Sequence, residues 1–111
     1  MTIQQLNELG ANTSEGLERC LGDEGFYLEL IPDALETSRY KDLDEKIKAG
    51  DLAGGFEIAH TLRGVLGNLA LTPLYEIMNE ITELLRDNTE MDYSVLLAKM
   101  WGEQNKFAAL L

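Results

Sequence analysis

Residues Gly54 to Leu71 read GGFEIAHTLRGVLGNLAL, and this stretch decides the fold because it predicts a long amphipathic helix. At about 100° per residue its large apolar side chains fall on one side of a helix. They are Ile58, Leu62, Val65, Leu66 and Leu69. A stripe of this kind packs against a core, so the stretch is expected to form one wall of a helical bundle.

His60 is the only histidine of the chain, and it lies on the side of this helix opposite the stripe. Its ring is therefore expected to face solvent, together with Phe56, Arg63, Gly64 and Gly67. A glycine inside a helix costs about 1 kcal/mol relative to alanine, so the two glycines on this side need an explanation. We interpret them as free space that lets another macromolecule approach the imidazole. The alternative is a tight crossing of two helices.

The residues around His60 form a recognisable motif. His60-Thr61-Leu62-Arg63-Gly64, followed by Gly67-Asn68-Leu69, resembles the phosphorylation motif of histidine phosphotransfer (HPt) domains, whose usual form is His, two residues, Lys, Gly. The resemblance extends upstream and downstream to Gly16-Leu17-Glu18-Arg19, Gly22-Asp23-Glu24 and Thr72-Pro73-Leu74.

Two positions depart from the family pattern. Arg63 stands where a lysine is common, and Ala70 stands where a glycine is frequent after Asn-Leu. The first change keeps the positive charge, and the second affects only the local fit of the chain.

The resemblance implies a function and a site. His60 would carry a phosphoryl group on Nε2, Arg63 would lie close to that group, and Gly64 would leave room for the partner. The partner implied is the receiver domain of a response regulator, whose aspartate donates and accepts the phosphoryl group and which brings its own Mg²⁺. The protein would then need no cofactor or metal of its own, and a hybrid sensor kinase is a further expected partner.

Three other residues are candidate partner-binding positions. Phe56 would be an exposed aromatic suited to a protein interface, unless the preceding loop buries it. Gly67 continues the free space beside His60. Asn68 matches a frequent family residue, but it lies nearer the core, so an orienting role is expected for it.

The residues alone support the same chemistry. A neutral imidazole is a good nucleophile near pH 7, since an unperturbed histidine has a pKa of about 6.5. Phosphoryl transfer depends mainly on positioning and electrostatics, and Arg63 offers a cation with donors that fit a phosphate. The alternative for Arg63 is a surface residue paired with an acid.

Several function classes are excluded. No Walker, kinase or dinucleotide-binding signature is present, so no nucleotide-binding site is expected. Together with this absence, the resemblance implies a phosphocarrier and not an enzyme. One histidine and the single Cys20 cannot form a zinc site, and Cys20 is expected to be a buried small hydrophobe. Two alternatives stay open: a bundle that docks receiver domains without being phosphorylated, and a purely structural domain.

Charge and length limit the partners and the location. The net charge of −11, from 20 acidic and 9 basic residues, argues against nucleic acid and anionic membranes, so the partners are expected to be proteins. Neither a secretory signal nor an apolar run long enough to span a bilayer is present, which predicts a cytoplasmic protein. The initiating methionine and the finish at Leu111 mildly favour a free-standing protein. Separately, the protein is expected to be a monomer.

The whole chain is expected to be one domain, residues 1–111, with an N-terminal cap at about 1–21 and a bundle at about 23–111. Asn12, Asp23 and Asp51 are predicted helix caps, and Gly50 a left-handed helix end. Pro32 is expected to kink or break a helix, and Thr72-Pro73 to start one. No segment alternates with period two. The prediction is therefore an all-α antiparallel up-and-down four-helix bundle with short additional N-terminal helices.

Overall fold

The computed structural model describes all residues from 1 to 111, which form seven α-helices and no strand. The helices are α1 (Ile3–Glu8), α2 (Thr13–Arg19), α3 (Glu24–Ala34), α4 (Thr37–Lys48), α5 (Leu52–Asn68), α6 (Thr72–Arg86) and α7 (Ser94–Ala108). The all-helical prediction is confirmed. None of these helices is long and apolar enough to cross a membrane.

Side-chain caps fix where the helices begin. Asp51 accepts a hydrogen bond of 2.9 Å from the backbone N–H of Gly54 and starts α5. Asn12 and Asp23 cap α2 and α3 in the same way. Each cap satisfies a backbone donor that the first turn of a helix would leave unpaired. The start of α6 lies one residue earlier than expected, because Leu71 is its cap and Thr72 is already helical.

Pro32 does not break its helix where the sequence suggested. α3 continues through Pro32 and ends at Ala34, and the break follows at Leu35 and Glu36. A proline fits the backbone angle of a helix, and in the last turn it removes only one hydrogen bond. The N–H of Leu35 donates to the carbonyls of Ile31 and Pro32, both at 3.2 Å, and closes the helix end.

The four long helices α4 to α7 pair as antiparallel neighbours. Arg63 contacts Glu83 at 2.6 Å, so residues late in α5 meet residues in α6 across the short turn that joins them. On another side of the bundle, Trp101 of α7 donates a hydrogen bond of 2.6 Å to Asp44 of α4. Gln104 lies 3.4 Å from Thr37 in the same antiparallel register.

The buried face of α5 is rotated from the predicted stripe. The residues it buries are Gly55, Ala59, Leu62, Leu66 and, just past its end, Leu69. Ile58 and Val65 are only half-buried. A Cβ on Gly55 would lie 3.4 Å from Ile47 and 3.5 Å from Leu85, so small residues here allow α4 and α6 to approach α5. A stripe defined only by large side chains misses them.

The N-terminal helices cover the C-terminal end of α5. The hydroxyl of buried Tyr27 donates a hydrogen bond of 2.8 Å to the carbonyl of Leu69. The N–H of Asn12 donates to the carbonyl of Ala70 at 2.9 Å. Leu6 of α1 and Cys20 at the end of α2 are both buried, which confirms the prediction for Cys20. The face of α5 that lies opposite its buried residues carries His60 and is exposed to solvent.

Candidate functional site

His60 lies in α5 with its ring exposed, as the helical spacing predicts. Its Nδ1 is 3.2 Å from the guanidinium of Arg63, one turn later in the same helix. The ring of Phe56, one turn earlier, lies against the imidazole with 5.5 Å between ring centres and 20° between their planes. Residues three and four positions apart are neighbours on a helix, so these two contacts follow from the sequence spacing.

Arg63 has a more defined environment than a solvated surface residue. Its guanidinium donates hydrogen bonds to Glu83 at 2.6 Å and to Asn79 at 3.2 Å, both in α6. Only 18% of its side chain is exposed. Arg63 therefore pairs with an acid, as one interpretation of the sequence expected, and it also contacts His60. Its role toward a phosphoryl group stays a prediction.

Glu83 and Arg86 of α6 lie beside this pair and, like Asn79, were missed by sequence reasoning. Glu83 accepts hydrogen bonds from Arg63 and, at 3.1 Å, from Arg86. The hydrogen bond from Arg63, followed by the charges of Arg86 and Arg63, outweighs burial and lowers the pKa of the Glu83 carboxyl. Arg86 also lies 5.2 Å from the ring centre of Phe56, within the range of a cation–π contact. The sequence signal that could have found these residues is the antiparallel register set by the short turn after α5.

The two glycines beside His60 have different surroundings. A Cβ on Gly64 would meet no atom within 4 Å, so free space does lie next to His60. A Cβ on Gly67 would lie 3.1 and 3.3 Å from the ring of Tyr75. Gly67 therefore belongs to the crossing of α5 and α6, and the free space does not extend to it.

Asn68 is exposed, although the sequence placed it nearer the core. Its side-chain oxygen lies 3.5 Å from the guanidinium of Arg19, which also donates a 2.8 Å hydrogen bond to the carbonyl of Gly67. The apolar stripe used as the reference was rotated, as described above, and this rotation explains the error. Asn68 makes no hydrogen bond with the His60 ring.

Ala70 occupies the left-handed end of α5. Its φ is 54°, and the next N–H, that of Leu71, donates to the carbonyl of Leu66 at 3.1 Å. This is the Schellman arrangement, in which glycine is the favoured residue because a side chain is strained at positive φ. Having Ala70 in place of the family glycine therefore strains the backbone at the end of α5.

The site presents one solvent-facing imidazole with a paired cation against its ring. No group of three or more His, Cys, Asp or Glu side chains comes together to hold a metal ion. An exposed nucleophile with a cation beside it can receive an anionic group from another molecule.

The displayed histidine on a helical bundle agrees with the family that a comparison of the sequence identifies. The sequence model of the Hpt domain family matches residues 27–110, and the chain belongs to this family. Hpt domains are phosphocarrier modules of two-component phosphorelay signalling and interact with receiver domains. Comparisons with curated proteins and with solved structures gave no match.

Proposed function

We propose that this protein accepts and donates phosphoryl groups between receiver-domain aspartates, and that His60 is the residue phosphorylated. The observation that carries the proposal is the environment of the His60 ring. The ring is exposed on an uncovered helix face, one nitrogen contacts Arg63, and the other makes no hydrogen bond within the protein. Nε2 is therefore the nitrogen that a partner can reach.

The transfer step requires a lone pair on Nε2, and so a ring whose proton is on Nδ1. The Nε2–P bond forms as the P–O bond to the receiver aspartate breaks, and the electron pair returns to that carboxylate. The reverse step regenerates the aspartyl phosphate. Arg63 stabilises the charge that develops on the phosphoryl oxygens, and the receiver supplies Mg²⁺.

The surface around His60 is suited to docking. Gly64 leaves room for the receiver on one side of the ring, and the half-buried Phe56 supports the ring on another. Gly67 acts indirectly in this proposal, by allowing α6 to lie close to α5. Asn68 would contact only the edge of a docked partner.

The test is incubation with a phosphorylated receiver domain and Mg²⁺. Label is expected on the wild-type protein, and none on His60→Gln, although receiver binding should persist because docking uses the surrounding surface. The product should be labile to acid and stable to base, as a phosphoramidate is. Since the chain contains one histidine, label on any other residue would overturn the proposal. Binding without transfer would identify a docking module. The absence of both binding and transfer would indicate a structural domain.

A further inference from the structure

The contact between Arg63 and His60 determines where the imidazole carries its proton. Arg63 lies 3.2 Å from Nδ1, and a guanidinium has only donors and stays charged in proteins. Nδ1 must therefore accept, and a neutral ring then has its proton on Nε2. A protonated Nε2 has no lone pair in the plane of the ring, so it cannot attack phosphorus.

Contacts from α6 restrict the position of Arg63. Glu83 and Asn79 accept hydrogen bonds from its guanidinium at 2.6 and 3.2 Å, and Glu83 is in turn bonded to Arg86 at 3.1 Å. A guanidinium with partners in a fixed fork is oriented as well as charged. Its third contact, with Nδ1, is thus set by residues outside α5.

No carboxylate competes for Nδ1. Glu57, on the same helix, makes no hydrogen bond with the ring, and Glu83 is engaged by the two arginines. On the side of α4, Arg39 and Asp42 line a separate groove with Glu57 and Thr61. A carboxylate on Nδ1 would keep the proton there and leave Nε2 nucleophilic. Arg63 has the opposite effect.

We propose that Arg63, positioned by Glu83 and Asn79, keeps free His60 in the tautomer that is protonated on Nε2 and is not nucleophilic there. This inference rests on the proposed function. An incoming phosphoryl group draws the guanidinium from Nδ1 to its own oxygens. The exposed ring then gives the Nε2 proton to water and takes a proton from water on Nδ1, with no net change in charge. His60 thus becomes a nucleophile at Nε2 when a partner with a phosphoryl group is in place.

The test is nitrogen-15 NMR of the free, unphosphorylated chain in mildly alkaline buffer, with the histidine labelled. The single histidine gives one pair of ring nitrogens, whose shifts report which one is protonated. In the wild-type protein we expect a proton on Nε2 and an accepting Nδ1. In Arg63→Met, which has no donor, the share of the tautomer protonated on Nδ1 should rise about fivefold, the effect of one hydrogen bond.

Two further variants complete the experiment. Glu83→Gln keeps Arg63 but weakens its anchor, so it should change the tautomer ratio in the same direction by a smaller factor. Arg39→Met, which removes an arginine of α4, should leave the ratio unchanged. A wild-type ring protonated mainly on Nδ1 would overturn the proposal, even if Arg63→Met failed to fold. An unchanged ratio in a folded Arg63→Met would do the same. Because no phosphodonor is present, either result leaves the phosphorylation of His60 to its own test.

Discussion

Glu83 of α6 accepts a 2.6 Å hydrogen bond from Arg63 of α5, which lies 20 positions earlier in the sequence. The same guanidinium contacts the imidazole of His60, so the neighbouring helix acts on the displayed ring through one side chain. In the free protein the positive charge of Arg63 therefore already interacts with the Glu83 carboxylate and the His60 ring. A phosphoryl group must compete with Glu83 for this charge.

Replacing Arg63 by alanine should slow transfer from a phosphorylated receiver without abolishing it. Arg63 stabilises the developing charge but forms no bond to phosphorus, so a net ten- to hundredfold loss is expected, about 1.4 to 2.7 kcal/mol of barrier, even though its removal favours the tautomer that is nucleophilic at Nε2. Arg63→Lys keeps the charge and introduces the commoner family residue, so its transfer rate should stay within about threefold of wild type. Rapid-quench measurement of label transfer tests both. Complete loss of transfer in a folded Arg63→Ala would contradict this division of labour with His60.

A bulky residue at Gly64 should obstruct the receiver. A side chain there meets open space in the free protein, so Gly64→Leu should fold normally and slow transfer. The matched control is Gly102→Leu in α7, where a Cβ also meets no atom within 4 Å. Both sites should gain up to about 1 kcal/mol of stability on replacement by alanine, measured by urea unfolding. Equal transfer rates for Gly64→Leu and Gly102→Leu would refute the docking role of Gly64.

Replacing Ala70 by glycine should stabilise the protein by about 0.5 to 1 kcal/mol, because it removes the strain of a side chain at positive φ. Ala34→Gly is the contrasting change. Ala34 is buried at the end of α3 without positive φ, so its loss should cost about 1 to 2 kcal/mol. Urea unfolding of the two variants measures the difference. Shifts of the same sign would contradict the explanation of the family glycine.

The protein should lose stability between pH 10 and 12. Burial, and secondly the nearby Cys20, raises the pKa of Tyr27 to about 12, whereas an unfolded tyrosine titrates near 10.0. In this window the unfolded chain has lost a proton that the folded protein retains, so stability falls as pH rises. Burial raises the pKa of Tyr40 in the same direction.

Tyr27→Phe should reduce this alkaline loss, while costing about 1 to 3 kcal/mol at neutral pH because the Leu69 carbonyl loses its 2.8 Å hydrogen bond. Tyr75→Phe is the control, since its hydroxyl makes no hydrogen bond within the protein. Thermal unfolding across this pH range measures both variants. An unchanged alkaline slope in Tyr27→Phe would exclude Tyr27 as a cause.

Local rules predicted the elements of the fold and the exposure of the central residue. Asp51 as a cap, Gly50 with its φ of 77° and the exposure of His60 all depend on nearby sequence. The buried face of α5 was predicted less well. This face includes the buried Gly55 and Ala59, whose small size matters only when the neighbouring helices are known.

The supporting part of the site could not be predicted from the motif. Glu83, Asn79 and Arg86 are polar residues on a helix with many of them, and nothing in their local sequence distinguishes them. The contacts of Glu83 and Asn79 with Arg63, and of Arg86 with Phe56, arise from the register of two helices across a short turn. Gly67 shows the same dependence, since the ring of Tyr75 lies over it.

The hydrogen bond from Trp101 to Asp44 joins α4 to α7, a pairing that shares no residue with the contacts between α5 and α6 around His60. Trp101 is the only tryptophan of the chain, and the Tyr40 ring lies 6.3 Å away. Its indole is therefore an intrinsic fluorescent probe that reports whether the bundle is folded. Its emission should follow unfolding and stay constant while His60 gains or loses a phosphoryl group, so the two events can be recorded by independent optical and radiochemical signals in one sample.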